Sequence, residues 1–167
     1  MRKSPSDRSV YQYSFAEVLP RMEAYCAYQD RCESEVRLKM ASFGLSANEN
    51  DEIIKHLFEK RFLDEERFVE SFVFGKFRIK KWGRNKIKAE LRNKGLSGEI
   101  VKRFLDKLSG DDYTDTIRVL IEKKYQQLKE GEDEYSKKVK IIRFVASKGF
   151  ELDLIQDAYH EFRLKHD

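Results

Sequence analysis

The stretch KFRIKKWGRNKIKAELRNKG, residues 76–95, decides how the chain is read. Within it Ile87, Leu91 and Gly95 follow one another at intervals of four. This places two apolar side chains on one helical stripe and a glycine where a helix end favours a left-handed residue. Val36, Met40 and Gly44 repeat the pattern, as do Ile141, Val145 and Gly149. Ile87 follows Val36 by 51 residues, and Ile141 follows Ile87 by 54. The next helix repeats too: Ile54, Leu57 and Phe58 correspond to Val101, Phe104 and Leu105 and to Ile155, Ala158 and Tyr159, with a four-residue insertion before the first set. One such unit buries little by itself, so neighbours must stack. The periodicity predicts an all-α chain of three tandem three-helix repeats in an elongated, curved array. Expected boundaries are a loose leader over 1–12, repeat 1 over 13–61, repeat 2 over 62–109 and repeat 3 over 110–167.

Composition agrees with helices: 167 residues hold only two prolines and eight glycines, and 38% of residues are charged. In repeat 1, Ser14 with Glu17 and Ser46 with Glu49 have capping-box spacing. Pro20 leaves two readings of the first helix, which either starts near Leu19 or is kinked. A second helix is expected over about Glu33 to Phe43, and a third with Ile53, Ile54, Leu57 and Phe58 buried. Asp64 is placed to cap the next helix, whose core stripe is Phe68, Phe72, Val73 and Phe77.

Charge is concentrated in the middle of the chain. From Lys76 to Lys94 nine basic residues meet the single acid Glu90, whereas the whole chain is only +4. A face that is merely solvated mixes its signs. This block, with Phe77 and Trp82 interleaved, fits phosphate backbone or an acidic protein groove. Arg84 and Lys86 align with Lys138 and Lys140 of repeat 3, where repeat 1 has Glu33 and Glu35. Lys137, Lys138, Lys140, Arg143 and Lys148 read as a second basic helix facing no acids. Acids gather over 49–70 and 111–134, eight against four basic residues in each. Trp82 either covers a helix junction or stacks on a base or an exposed ring.

Several classes are excluded. No apolar run approaches the ~18 residues of a membrane span, and no apolar segment follows the charges at the start, so a cytoplasmic location is expected. Cys26 and Cys32 match neither a redox pair nor a zinc knuckle, and the histidines His56, His160 and His166 lie elsewhere. The chain has no phosphate-binding loop motif, metalloprotease motif or nucleophile elbow. No catalytic residue, metal or cofactor is expected.

The run Leu63-Asp64-Glu65-Glu66-Arg67-Phe68, then Trp82-Gly83, then Gly83, Lys86, Ile87, Leu91, Lys94 and Gly95 in order, resembles the RecX family of recombinase regulators. Ser34-Glu35-Val36-Arg37 resembles that family's opening unit, and the likeness covers about 14–165. It implies a modulator of RecA; the chain itself is expected to be a non-catalytic monomer. Such a protein lies in the groove of the RecA filament on single-stranded DNA and restrains its ATPase, strand-exchange and co-protease activities. Leu63, Asp64, Arg67, Phe68, Gly83, Ile87, Leu91 and Gly95 are motif residues with structural roles. The expected binding residues are Arg78, Lys80, Lys81, Arg84, Lys86, Lys88, Arg92, Lys94, Lys137, Lys138, Lys140 and Arg143, led by Arg84 and Lys86. Charge reversal at those two is expected to weaken binding and leave thermal stability nearly unchanged. The alternative is a helical nucleic-acid-binding module that needs no RecA.

Overall fold

A computed structural model describes residues 12–166; apart from Gln12, the expected leader lies outside them. Nine helices follow one another among the described residues: α1 Phe15–Tyr28, α2 Glu33–Met40, α3 Ala47–Glu59, α4 Glu65–Lys80, α5 Arg84–Asn93, α6 Glu99–Asp106, α7 Asp111–Gln126, α8 Glu134–Ser147 and α9 Leu152–His166. No strand occurs among the described residues. The three apolar–apolar–glycine triplets mark α2, α5 and α8. Val36, Met40, Ile87, Leu91, Ile141 and Val145 are all at most 1% exposed, and Gly44, Gly95 and Gly149 take φ of +76°, +82° and +93°.

Local chemistry sets the helix ends. Ser14 and Ser46 form capping boxes with Glu17 and Glu49, so α1 starts at Phe15, not near Leu19. The helix continues through Pro20, whose ring nitrogen has no hydrogen to donate to the preceding turn. The Asp64 carboxylate accepts from the Arg67 backbone N–H at 2.9 Å. That bond, with the Arg61 guanidinium, holds its pKa below the usual carboxylate value.

The chain divides into two compact units, residues 1–68 and 69–167, with the division inside α4. In the first unit, Val18 and Met22 of α1, Val36 and Met40 of α2, and Ile53 and Leu57 of α3 share one core. Phe58, expected in that core, is 39% exposed because it lies at the edge of the α3 stripe. In the second unit α7, α8 and α9 pack on one another and α5 packs on α6. Phe77 of α4 stacks on Tyr113 of α7 at 5.6 Å between ring centres.

Repeats 2 and 3 are fastened backbone to backbone. The α5 N-terminus has no side-chain cap and no acid in its first turn. Its donors go instead to repeat 3: Gly83 N–H to Lys148 O at 2.8 Å and Asn85 N–H to Gly149 O at 3.0 Å. The Arg84 N–H donates to the Tyr113 hydroxyl at 3.0 Å. These acceptors include carbonyls that the end of α8 leaves without helical partners. The approach is so close that a Cβ on Gly83 would lie 2.5 Å from Gly149 backbone atoms, and one on Gly149 would lie 2.3 Å from Lys86 Cβ.

This geometry separates two kinds of glycine. Gly83→Ala and Gly149→Ala should each cost about 3 kcal/mol or more, because the backbones must part. Gly95→Ala meets no atom within 4 Å and should cost only the left-handed conformation, about 1–2 kcal/mol. Thermal melts of the three variants check the ranking.

Candidate functional site

Helix α5 sends its cations to two flanks of its buried Ile87–Leu91 stripe. Arg84, Lys88 and Arg92 stand at successive intervals of four, about 6 Å apart along the axis. They line a groove of about 520 Å³ that Val101, Lys102 and Leu105 of α6 complete. Lys88 and Arg92 are exposed, and among the described residues no carboxylate pairs with either. Glu99, Asp106 and Glu151 also border the groove, so its field is graded and not uniformly positive.

Lys86 leaves by the other flank. Its Nζ lies 4.7 Å from the centre of the Trp82 ring and donates to Ser147 O at 3.5 Å. Lys94 sits 5.8 Å from the Phe72 ring. Trp82 is half-buried, with Lys76 also 5.1 Å from its centre. Arg78, Lys80 and Lys81 at the end of α4 are exposed. Arg78 and Lys81 face Asp112 and Asp115 of α7 across a groove of about 340 Å³. Lys81 takes φ +54°, a conformation that costs a lysine about 1 kcal/mol relative to glycine.

Arg84 has a different role from the one its alignment suggests. It turns into the joint between repeats 2 and 3, with its Nε 2.7 Å from Glu151 Oε1 in an ionic contact without hydrogen-bond alignment. Its guanidinium lies 4.5 Å from the Tyr113 ring centre, and only 28% of the side chain is exposed. Burial works against its charge, but the Tyr113 hydroxyl and Glu151 outweigh that and raise its pKa. The Tyr113 hydroxyl donates to Glu151 Oε2 at 2.7 Å. Burial, opposed by the Arg84 N–H and aided by Glu151, pushes its pKa up to about 12. Charge reversal at Arg84 would set a carboxylate against Glu151 and should lower stability, contrary to the sequence-based expectation. Tyr113 and Glu151 left no trace in the sequence pattern, because both belong to another repeat.

Repeat 3 also departs from expectation, because its middle helix does meet acids. Lys137 pairs with Glu134 at 3.0 Å and Lys140 with Glu132 at 2.7 Å, and Arg163 of α9 pairs with Glu134 as well. The turn before α8 carries Glu132 back along the helix, and Glu134 lies one turn from Lys137. Lys138 rests 6.0 Å from the Tyr159 ring, while Arg143 is exposed and, among the described residues, pairs with no carboxylate. In the first unit Arg67 pairs with Asp30 at 2.7 Å and donates to the carbonyls of Arg61 and Phe62; Asp64 pairs instead with Arg61. Both motif residues thus secure the start of α4. Among the described residues no His, Cys, Asp or Glu group is set to hold a metal, and no helix is long and apolar enough to cross a membrane.

Comparison with known proteins follows the same helices. Residues 64–105 match the second three-helix domain of RecX and residues 111–159 the third, together more than half of the chain. The chain belongs to the RecX family. It is 37% identical over 124 residues to the regulatory protein RecX of Clostridium perfringens strain 13, a stretch covering 74% of this chain and 58% of that one. It thus spans somewhat over half the length of that RecX relative. It is 28% identical over 162 residues to regulatory protein RecX of Salmonella typhimurium strain LT2, covering 89% of this chain and 93% of that one. The crystal structure of RecX from Lactobacillus salivarius shares the fold, with a TM-score of 0.78 at 24% identity over 90% of this chain and 97% of that one.

Two substitutions resolve the joint. Arg84→Met should lower stability by about 2 kcal/mol, since it leaves Glu151 and the Tyr113 hydroxyl without their cation, whereas Lys88→Glu should change it by less than about 0.5 kcal/mol. Tyr113 is held neutral with a pKa of about 12, above its unfolded value of about 10. Its contribution is therefore complete below pH ~10 and lost as pH rises toward ~12. Tyr113→Phe should be less stable at neutral pH and should lose less over that alkaline interval, as chemical denaturation at both ends would show.

Proposed function

We propose that this RecX-family chain is a non-catalytic regulator that binds the RecA filament on single-stranded DNA as a monomer in the cytoplasm. It restrains the filament's ATPase, strand-exchange and co-protease activities. Membership of the RecX family carries this reading, and the charge distribution supports it. Residues 69–167 hold 23 basic and 17 acidic side chains, whereas residues 1–68 hold 11 and 13. A basic unit is drawn to a polyanionic or acidic lattice and oriented by it.

Within that unit, Lys88 and Arg92 are the foremost contact residues, because they are exposed and unpaired beside a groove. Arg78, Lys80, Lys81, Lys86, Lys94, Lys138 and Arg143 are supporting contacts. Lys137 and Lys140 contribute less, since an incoming anion must compete with Glu134 and Glu132. Arg84 acts mainly by holding α5 in place.

ATP hydrolysis by RecA on single-stranded DNA tests the proposal. Stoichiometric addition of this protein should lower the rate; an unchanged rate would remove the proposal. The double variant Lys88→Glu with Arg92→Glu should need about tenfold more protein for the same effect, about 1.4 kcal/mol of binding, with an unaltered melting curve.

A further inference from the structure

Two rings of the second unit, one on either side of the joint between repeats 2 and 3, bear paired lysines. Tyr113 packs against Phe77 and Phe150, and Phe162 against Tyr125. Trp82 and Phe144 each carry two lysines, as does Phe72, which shares Lys76 with Trp82 and adds Lys94. Lys76 and Lys86 lie 5.1 and 4.7 Å from the Trp82 ring centre, and Lys124 and Lys148 lie 5.4 and 5.7 Å from that of Phe144. Both rings and all four lysines are half-buried, and among the described residues no carboxylate pairs with any of the four lysines. The Lys86 Nζ contact to Ser147 O links the two ring sites, for Ser147 stands one helical turn from Phe144 on α8. The backbone bonds from Gly83 and Asn85 to Lys148 and Gly149 hold the intervening joint in one geometry.

We infer that Trp82 and Phe144, with Lys76, Lys86, Lys124 and Lys148, form a track across the joint of repeats 2 and 3 for unpaired nucleic-acid strand. Bases stack on the two rings and the lysines meet the phosphates between them. A partly exposed lysine–ring contact is worth about 0.5–1 kcal/mol, and a base stacked on an aromatic ring about 1–3 kcal/mol. A base therefore displaces a lysine from the ring face at a net gain, and the displaced ammonium moves to the adjoining phosphate. An acidic peptide uses the lysines but offers the rings nothing that stacks. A duplex offers phosphates but keeps its bases inside. The track tolerates any base sequence, because every base has a stacking face. It is distinct from the α5–α6 groove and needs no protein partner, so it does not rest on the filament reading.

Trp82 is the single tryptophan of the chain, and its fluorescence reports the track directly. Titration with oligodeoxythymidylate, without RecA, should quench that fluorescence, with a log–log salt slope of about −3 for four neutralised phosphates. Lys124→Glu with Lys148→Glu should weaken binding at least tenfold while the melting curve is kept, and Phe144→Leu should weaken it several-fold. Absence of quenching, quenching unaltered in the lysine double variant, or an equal response to polyglutamate would each overturn the track. The filament reading is judged separately: restraint of RecA ATPase by a protein that fails to bind the free oligonucleotide would leave that reading standing and remove this one.

Discussion

The start of α5 is a helix end that cannot satisfy itself. It presents free N–H groups and the positive pole of a helix dipole, and its own sequence adds Arg84 and Lys86 with no acid in the first turn. What satisfies it comes from repeat 3: carbonyls at the end of α8, the Tyr113 hydroxyl and the Glu151 carboxylate. The end of one helix has surplus donors and the end of the other has surplus acceptors, so each removes the other's deficit. That exchange makes the two repeats one compact unit.

The joint explains residues that a simple division into core and surface misplaces. Gly83 has an unremarkable φ of −82°, so it is a glycine for want of room, not for freedom of rotation. Gly149 combines a left-handed φ with an equally close approach. Arg84 is polar and partly exposed, yet it is held between a ring and a carboxylate. With the joint fixed, the cations of α5 fall on opposite flanks: Lys88 and Arg92 beside the groove with α6, and Lys86 beside Trp82. A single α5 helix therefore places its cations in two different surroundings.

The two units spend their charges differently. Among the described residues of the first unit, Arg37 bridges Glu33 and Asp51 and Arg67 ties Asp30 to the carbonyls before α4. Such exposed pairs contribute little each. In residues 69–167 the surplus is real, and several of its lysines rest on aromatic rings instead of carboxylates. A lysine on a ring keeps its full charge and is readily released.

By itself the sequence determined what acts within about one helical turn: the apolar stripes of Ile87 with Leu91 and their counterparts, the Ser14 and Ser46 caps, the glycine terminators, and with them the all-α repeat and the family likeness. These are local because helical hydrogen bonds and side-chain neighbours reach only three or four residues along the chain. Only the tertiary structure decided that Arg84 belongs to Tyr113 and Glu151, that Glu132 turns back upon Lys140, and that Lys86 of α5 reaches the Ser147 carbonyl of α8. Those pairings depend on which helix ends meet, and packing between repeats settles that through groups far apart in the chain whose individual types give no sign of their partners.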